Sequence, residues 1–164
     1  MRNKSMFVKK MAALAMALTF LLAPSATRVQ AAAPPALTPQ QMEAVIEDAF
    51  AKLVAFDAQG LVSHYADDAV LEDPVGTPPM VGKAAIVAYL EAFPTLFNQM
   101  KLYSLDIKPG GQEAAVTWRL RFTTKSGHVF FLEGIGFFEF NQDGKVQREK
   151  QFFDLAYFIE QLQK

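Results

Sequence analysis

The chain of 164 residues has no cysteine. That excludes disulfide bonds, thiol nucleophiles and thiolate metal ligands. Histidine is almost as scarce. His64 and His128 are the two present, and they stand too far apart in pattern for a metal site or a catalytic triad. No glycine-rich phosphate loop or dinucleotide fingerprint occurs, and Ser63 has no nucleophile elbow around it. No cofactor and no metal are therefore expected. Internal repeats are absent. So is any apolar run of the ~20 residues that span a bilayer: the main one, "MAALAMALTFLLA", covers residues 11–23.

That run has a specific context. Residues 1–10, "MRNKSMFVKK", carry four basic residues and no acid, and small residues follow the apolar run as far as "VQAAAPPA". This is the three-part pattern of a secretory signal peptide. Residues 1–31 are read as that signal, with cleavage after Ala31 or Ala33, and residues 32–37 as a linker. The expected location is the periplasm or the exterior, with no membrane association after cleavage. From residue 32 onward there are 11 Lys and Arg against 17 Asp and Glu, a net charge of −6. An acidic domain without basic clusters is a poor partner for nucleic acid. The remaining 131–133 residues suffice for one domain with one core.

Residues 38–164 read as α+β. Thr38, Pro39 and Gln41 make an N-cap, a first-turn proline and a capping box. Met42, Val45, Ile46, Ala49, Phe50 and Leu53 then recur on one helical face. Asp57 caps a second, short helix expected to include Leu61, Val62 and Tyr65. Residues 69–73 read as a strand, and Lys83 to about Phe93 as a third helix broken by Pro94. Four strands follow in a meander. In "AAVTWRLRFTT", Val116, Trp118, Leu120 and Phe122 alternate with Thr117, Arg119, Arg121 and Thr123. The strand over 128–140 is apolar on both faces, with Phe130, Leu132 and Phe138 opposite Val129, Phe131, Ile135 and Phe137. Helices cover one face, so a second subunit is expected on the other, giving a homodimer through the sheet. A last amphipathic helix, "DLAYFIEQLQ", ends the chain.

The segment "HYADDAVLEDPVGTPPMVGKAAIVAYL" resembles the corresponding part of bacterial ketosteroid isomerases, and "FFEFNQDGKV" resembles that family's penultimate hairpin. The family belongs, with the SnoaL-like cyclases, to the nuclear transport factor two-like superfamily. The resemblance implies a cone-shaped, curved antiparallel sheet with three N-terminal helices packed on its concave face. It implies a hydrophobic small-molecule ligand and a steroid Δ-isomerase type of proton transfer, with the Asp of "EDPVG", Asp73, as the base. A SnoaL-like cyclase and a non-catalytic ligand-binding domain are the alternatives. The prolines at 74, 78 and 79 suit a rigid support for such a base. Glu72 would point the other way.

Two family features are missing. The position of the family's oxyanion tyrosine falls on Ala49, with Phe50 next to it, and that of its second donor, an aspartic acid, falls on Gly136. Losing one such donor typically costs about 10²–10³ in rate. The turn "NQDG" suggests pairing Phe140 with Lys145, which sets Gly136 opposite Glu149 on the face shared with Phe138 and Gln151. Glu149 would then be a second carboxyl in the pocket, and burial would keep it protonated near neutrality. A register slip of one residue would instead turn it to solvent. Tyr65, Tyr89, Trp118 and Phe153 complete the expected pocket.

Overall fold

The computed structural model describes residues 37–164; the expected signal, its cleavage site and most of the linker lie outside the described residues. The elements run α1 (Pro39–Val54), α2 (Ala58–Val62), β1 (Tyr65–Glu72), β2 (Met80–Val81), α3 (Lys83–Leu90), α4 (Phe93–Leu96), β3 (Phe97–Gly110), β4 (Glu113–Thr124), β5 (Val129–Phe140), β6 (Val146–Phe152) and α5 (Leu155–Leu162). The strands form one curved, unclosed sheet in the order β2-β1-β6-β5-β4-β3. It is antiparallel except where β1 runs parallel to β6.

α1 starts where the sequence places it. Thr38 Oγ1 accepts from Gln41 N at 3.2 Å, and Gln41 Oε1 accepts from Thr38 N at 2.8 Å. Its inward face buries Met42, Ile46, Ala49 and Phe50. These meet the even-numbered residues of β4 and β5, from Ala114 to Phe122 and from Phe130 to Phe140.

Two expected element limits and one strand register need correction. Tyr65 does not belong to the second helix. That helix stops at Val62, and Tyr65 opens β1, because its backbone is captured by β6: Val146 N donates to His64 O at 2.9 Å and Tyr65 pairs with Val146. The third helix ends at Leu90, not Phe93, and Pro94 sits in the first turn of α4, where its missing N–H costs nothing. The β5–β6 register differs by two residues from the turn-based expectation. Phe140 pairs with Val146 rather than Lys145, and an irregularity between Glu139 and Phe140 adds the second residue, setting Phe138 opposite Glu149 and Gly136 opposite Gln151. A shift of two preserves the face of every side chain, so Glu149 still points inward and is buried.

The opposite face of the sheet is uncovered among the described residues. Ile135 and Phe152 lie paired on it, 53% and 46% exposed, and Val129 is exposed at the far end of β5. Tyr103 packs edge-on to Phe131 at 4.9 Å, and Arg119 caps the same Phe131 ring at 4.4 Å.

Candidate active site

Between the helices and the inner sheet face lies a hollow of about 730 Å³, its open mouth included. Its wall is apolar over most of its extent: Phe50 and Leu53 from α1, Phe93 from α4, Leu120 and Phe122 from β4, and Phe158 from α5. All eight residues expected from the sequence line it, namely Asp73, Glu149, Tyr65, Tyr89, Trp118, Phe138, Gln151 and Phe153. The polar groups gather at the β1–β6 side.

Asp73 reaches the hollow by simple alternation. Ala69 and Leu71 of β1 are buried, so the next odd position faces the same way, and Glu72 faces out to Lys150 at 3.3 Å. The proline-rich loop behind it is fastened on both sides. Val75 N donates to Gln151 O at 2.8 Å, and β2 folds back on β1 with Met80 opposite Leu71. Within the loop, Thr77 N and Oγ1 both donate to Pro74 O, at 3.1 and 2.7 Å. The half-buried Asp73 side chain accepts from Tyr89 Oη at 3.1 Å. Burial raises its pKa to about 6, against the lowering effect of the Tyr89 bond.

Glu149 lies deeper. It accepts from Tyr65 Oη on Oε2 and from Gln151 Nε2 on Oε1. Burial raises its pKa to about 7; the bonds from Tyr65 and Gln151 oppose the rise and the Asp73 charge adds to it. Burial and the neighbouring carboxylates also push both tyrosine hydroxyls upward, so they remain neutral donors.

The space beside Gly136 is taken by Gln151, not by Glu149. A Cβ built on Gly136 would stand 3.1 Å from both Gln151 Nε2 and Oε1 and 3.0 Å from Phe138. The Gln151–Trp118 bond, with Trp118 Nε1 donating to Gln151 Oε1 at 2.8 Å, was not foreseen. The signal available for it was their shared inward parity. Phe158 was also missed. The amphipathic pattern announced α5, but not that this ring would close the hollow. The histidines lie elsewhere: His64 meets Asp48 at 2.7 Å and His128 meets Gln161 at 3.0 Å. Among the described residues no three His, Cys, Asp or Glu side chains gather as a metal ion would need.

Over residues 43–149 the sequence matches the SnoaL-like domain family. The chain belongs to that family. Solved structures of the same nuclear transport factor two-like fold agree with this placement. A candidate polyketide cyclase from Xanthomonas campestris pv. campestris superposes with a TM-score of 0.68 at 17% identity, covering 75% of this chain and 97% of its own. TerC, co-crystallized with polyporic acid, gives 0.68 at 22% identity over 76% and 99%. The epoxide hydrolase/cyclase-like enzyme SalBIII, of pyran ring formation in the polyether salinomycin, gives 0.62 at 21% identity over 71% and 93%. The SnoaL-like match includes Tyr65, Asp73, Tyr89, Trp118, Phe138 and Glu149; Gln151 and Phe153 lie just beyond it.

Proposed function

We propose that this SnoaL-like domain is an acid–base enzyme that removes a proton from a carbon beside a carbonyl of a hydrophobic small molecule. Asp73 is the base. One observation carries the reading: a carboxylate faces an apolar hollow, is fixed by Tyr89 and by a doubly fastened loop, and has its pKa raised to about 6. A base of that strength is largely ionised near neutrality yet holds a proton better than an ordinary aspartate. Both enzymatic alternatives begin with this step. An isomerase of the ketosteroid type returns the proton from Asp73 to another carbon of the same molecule. A SnoaL-like cyclase lets the carbanion attack a second carbonyl, and the cyclase-like names of two structural neighbours support that outcome. The missing donors at Ala49 and Gly136 support a non-catalytic ligand-binding domain instead.

The test is solvent exchange. A β,γ-unsaturated 3-ketosteroid is incubated with the protein in deuterium oxide and followed by mass spectrometry and by absorbance of the conjugated enone. The wild type is expected to incorporate deuterium, and Asp73→Asn to lose the rate by about 10²-fold or more. Equal exchange in both proteins would leave only a binding role.

The amino-terminal pattern supports export of the domain. The exposed apolar stretch around Ile135 and Phe152 supports a homodimer through the outer sheet face.

A further inference from the structure

Proton removal by Asp73 leaves a second polar device in the hollow unused. Trp118, Gln151, Glu149 and Tyr65 form one chain of hydrogen bonds across β4, β6 and β1. Its direction is fixed from one end. An indole nitrogen can only donate, so the Trp118 bond of 2.8 Å assigns the Gln151 carbonyl oxygen to Trp118. The Gln151 amide nitrogen then faces Glu149 Oε1 and donates to it. That oxygen remains an acceptor in either protonation state. A proton on Glu149 therefore resides on Oε2, the oxygen bonded to Tyr65. In that state Glu149 donates to the Tyr65 oxygen, and the phenol hydrogen turns away from the pair. Tyr65 lines the hollow, which gives that hydrogen a place to go.

The surroundings of Glu149 favour the protonated state. Tyr65 faces it from β1, Asp73 from the loop behind β1, and Tyr89 from α3. β4 and β5 present Trp118 and Phe138, and α1 presents Ala49 and Phe50. The lining contains two carboxyl groups and no Lys, Arg or His. With Asp73 ionised, a second negative charge would find no cation to offset its burial.

We infer that Tyr65, backed by protonated Glu149, is the donor to the oxygen of a bound carbonyl or enolate, in place of the donors missing at Ala49 and Gly136. The assignment rests on the acid–base reading of the hollow and completes it. Asp73 takes the proton as the C–H bond breaks and an O–H bond forms. The electron pair moves to the substrate oxygen, and Tyr65 stabilises the charge there by a hydrogen bond. Tyr65 and Glu149 both keep their protons. Trp118 and Gln151 are positioning residues that set which oxygen of Glu149 carries its proton. The ligand class narrows to hydrophobic molecules that can place one oxygen against Tyr65 and an acidified C–H against Asp73.

The test uses 2-naphthol, whose phenolic oxygen imitates an enol and ionises only near pH ~10. Binding is followed by fluorescence in the Asp73→Asn protein, where Glu149 is the carboxyl left to titrate in the hollow. Affinity is expected to be high in acid and to fall roughly tenfold, the worth of about one hydrogen bond, as Glu149 ionises and takes back the Tyr65 hydrogen. With Glu149→Gln added, the pH step should vanish. With Tyr65→Phe added, affinity in acid should drop to the parent's alkaline level. Binding that stays flat from about pH 4 to about pH 8 in the Asp73→Asn protein overturns the inference without either added substitution. So does a Tyr65→Phe protein that binds as tightly in acid as its parent. No turnover is read, so a protein that exchanges no deuterium can still show the step, and one that exchanges deuterium can lack it.

Discussion

Replacing Asp73 by asparagine should stabilise this protein at alkaline pH while removing the proposed proton transfer. Burial raises the Asp73 pKa from 3.8 to about 6. At about 1.4 kcal/mol per pH unit, keeping the carboxylate ionised in the folded chain costs on the order of 3 kcal/mol relative to the unfolded chain. The folded state holds the proton more tightly, so this contribution to stability is full below pH ~4 and is lost as pH rises through about 6. Asparagine has no proton to lose, and its carbonyl can still accept from Tyr89. The measurement is urea unfolding of both proteins at pH ~4 and pH ~8, taking the difference between variant and wild type at each. That difference should move in the variant's favour by roughly 2 kcal/mol between the two conditions, whatever its absolute value. Glu149 adds to the effect in the same direction, because the Asp73 charge is one cause of its raised pKa. A difference that does not change with pH would refute the argument. It would mean that the carboxylate is solvated as well in the folded chain as in the unfolded one.

Three further outcomes follow from the same contacts. Tyr89→Phe removes the bond that favours ionised Asp73, so the acid limb of the pH–rate profile should move up by about one pH unit with the maximal rate less affected. Gly134→Ala would place a Cβ 2.2 Å from Trp118 Cζ2 and 2.8 Å from Phe152 O, and should destabilise the fold by about 2 kcal/mol or more in urea unfolding. Sedimentation should show a dimer for the wild type and a monomer for Ile135→Arg, since the latter puts a charge into the exposed apolar face.

Local chemistry made much of this fold readable. The Thr38–Gln41 box fixed the start of α1, and strict alternation in β4 separated Trp118, Leu120 and Phe122 from the residues facing out. The placement of Glu149 shows how parity protects a conclusion. The turn-based register was off by two residues, yet an even error leaves each side chain on its own face. Long-range pairing was less legible. Nothing near Tyr65 announces that its backbone will be taken up by a strand some eighty residues later, so helical spacing misplaced it. The polar chain through Gln151 was hidden for a similar reason. It depends on β4 and β6 reaching each other across β5, beside glycines at 134 and 136 that leave room for Trp118 and Gln151. The closing role of Phe158 depends on where α5 docks, which its own periodicity does not specify.

The central claim is that Asp73 is a base whose proton affinity is set by an apolar hollow. Its most direct test is the carboxyl ¹³C chemical shift of Asp73, followed across pH in the ligand-free protein and assigned by comparison with Asp73→Asn. A titration midpoint of about 6 is expected. A midpoint at the ordinary value of 3.8 would contradict the claim, because it would place the carboxylate in water.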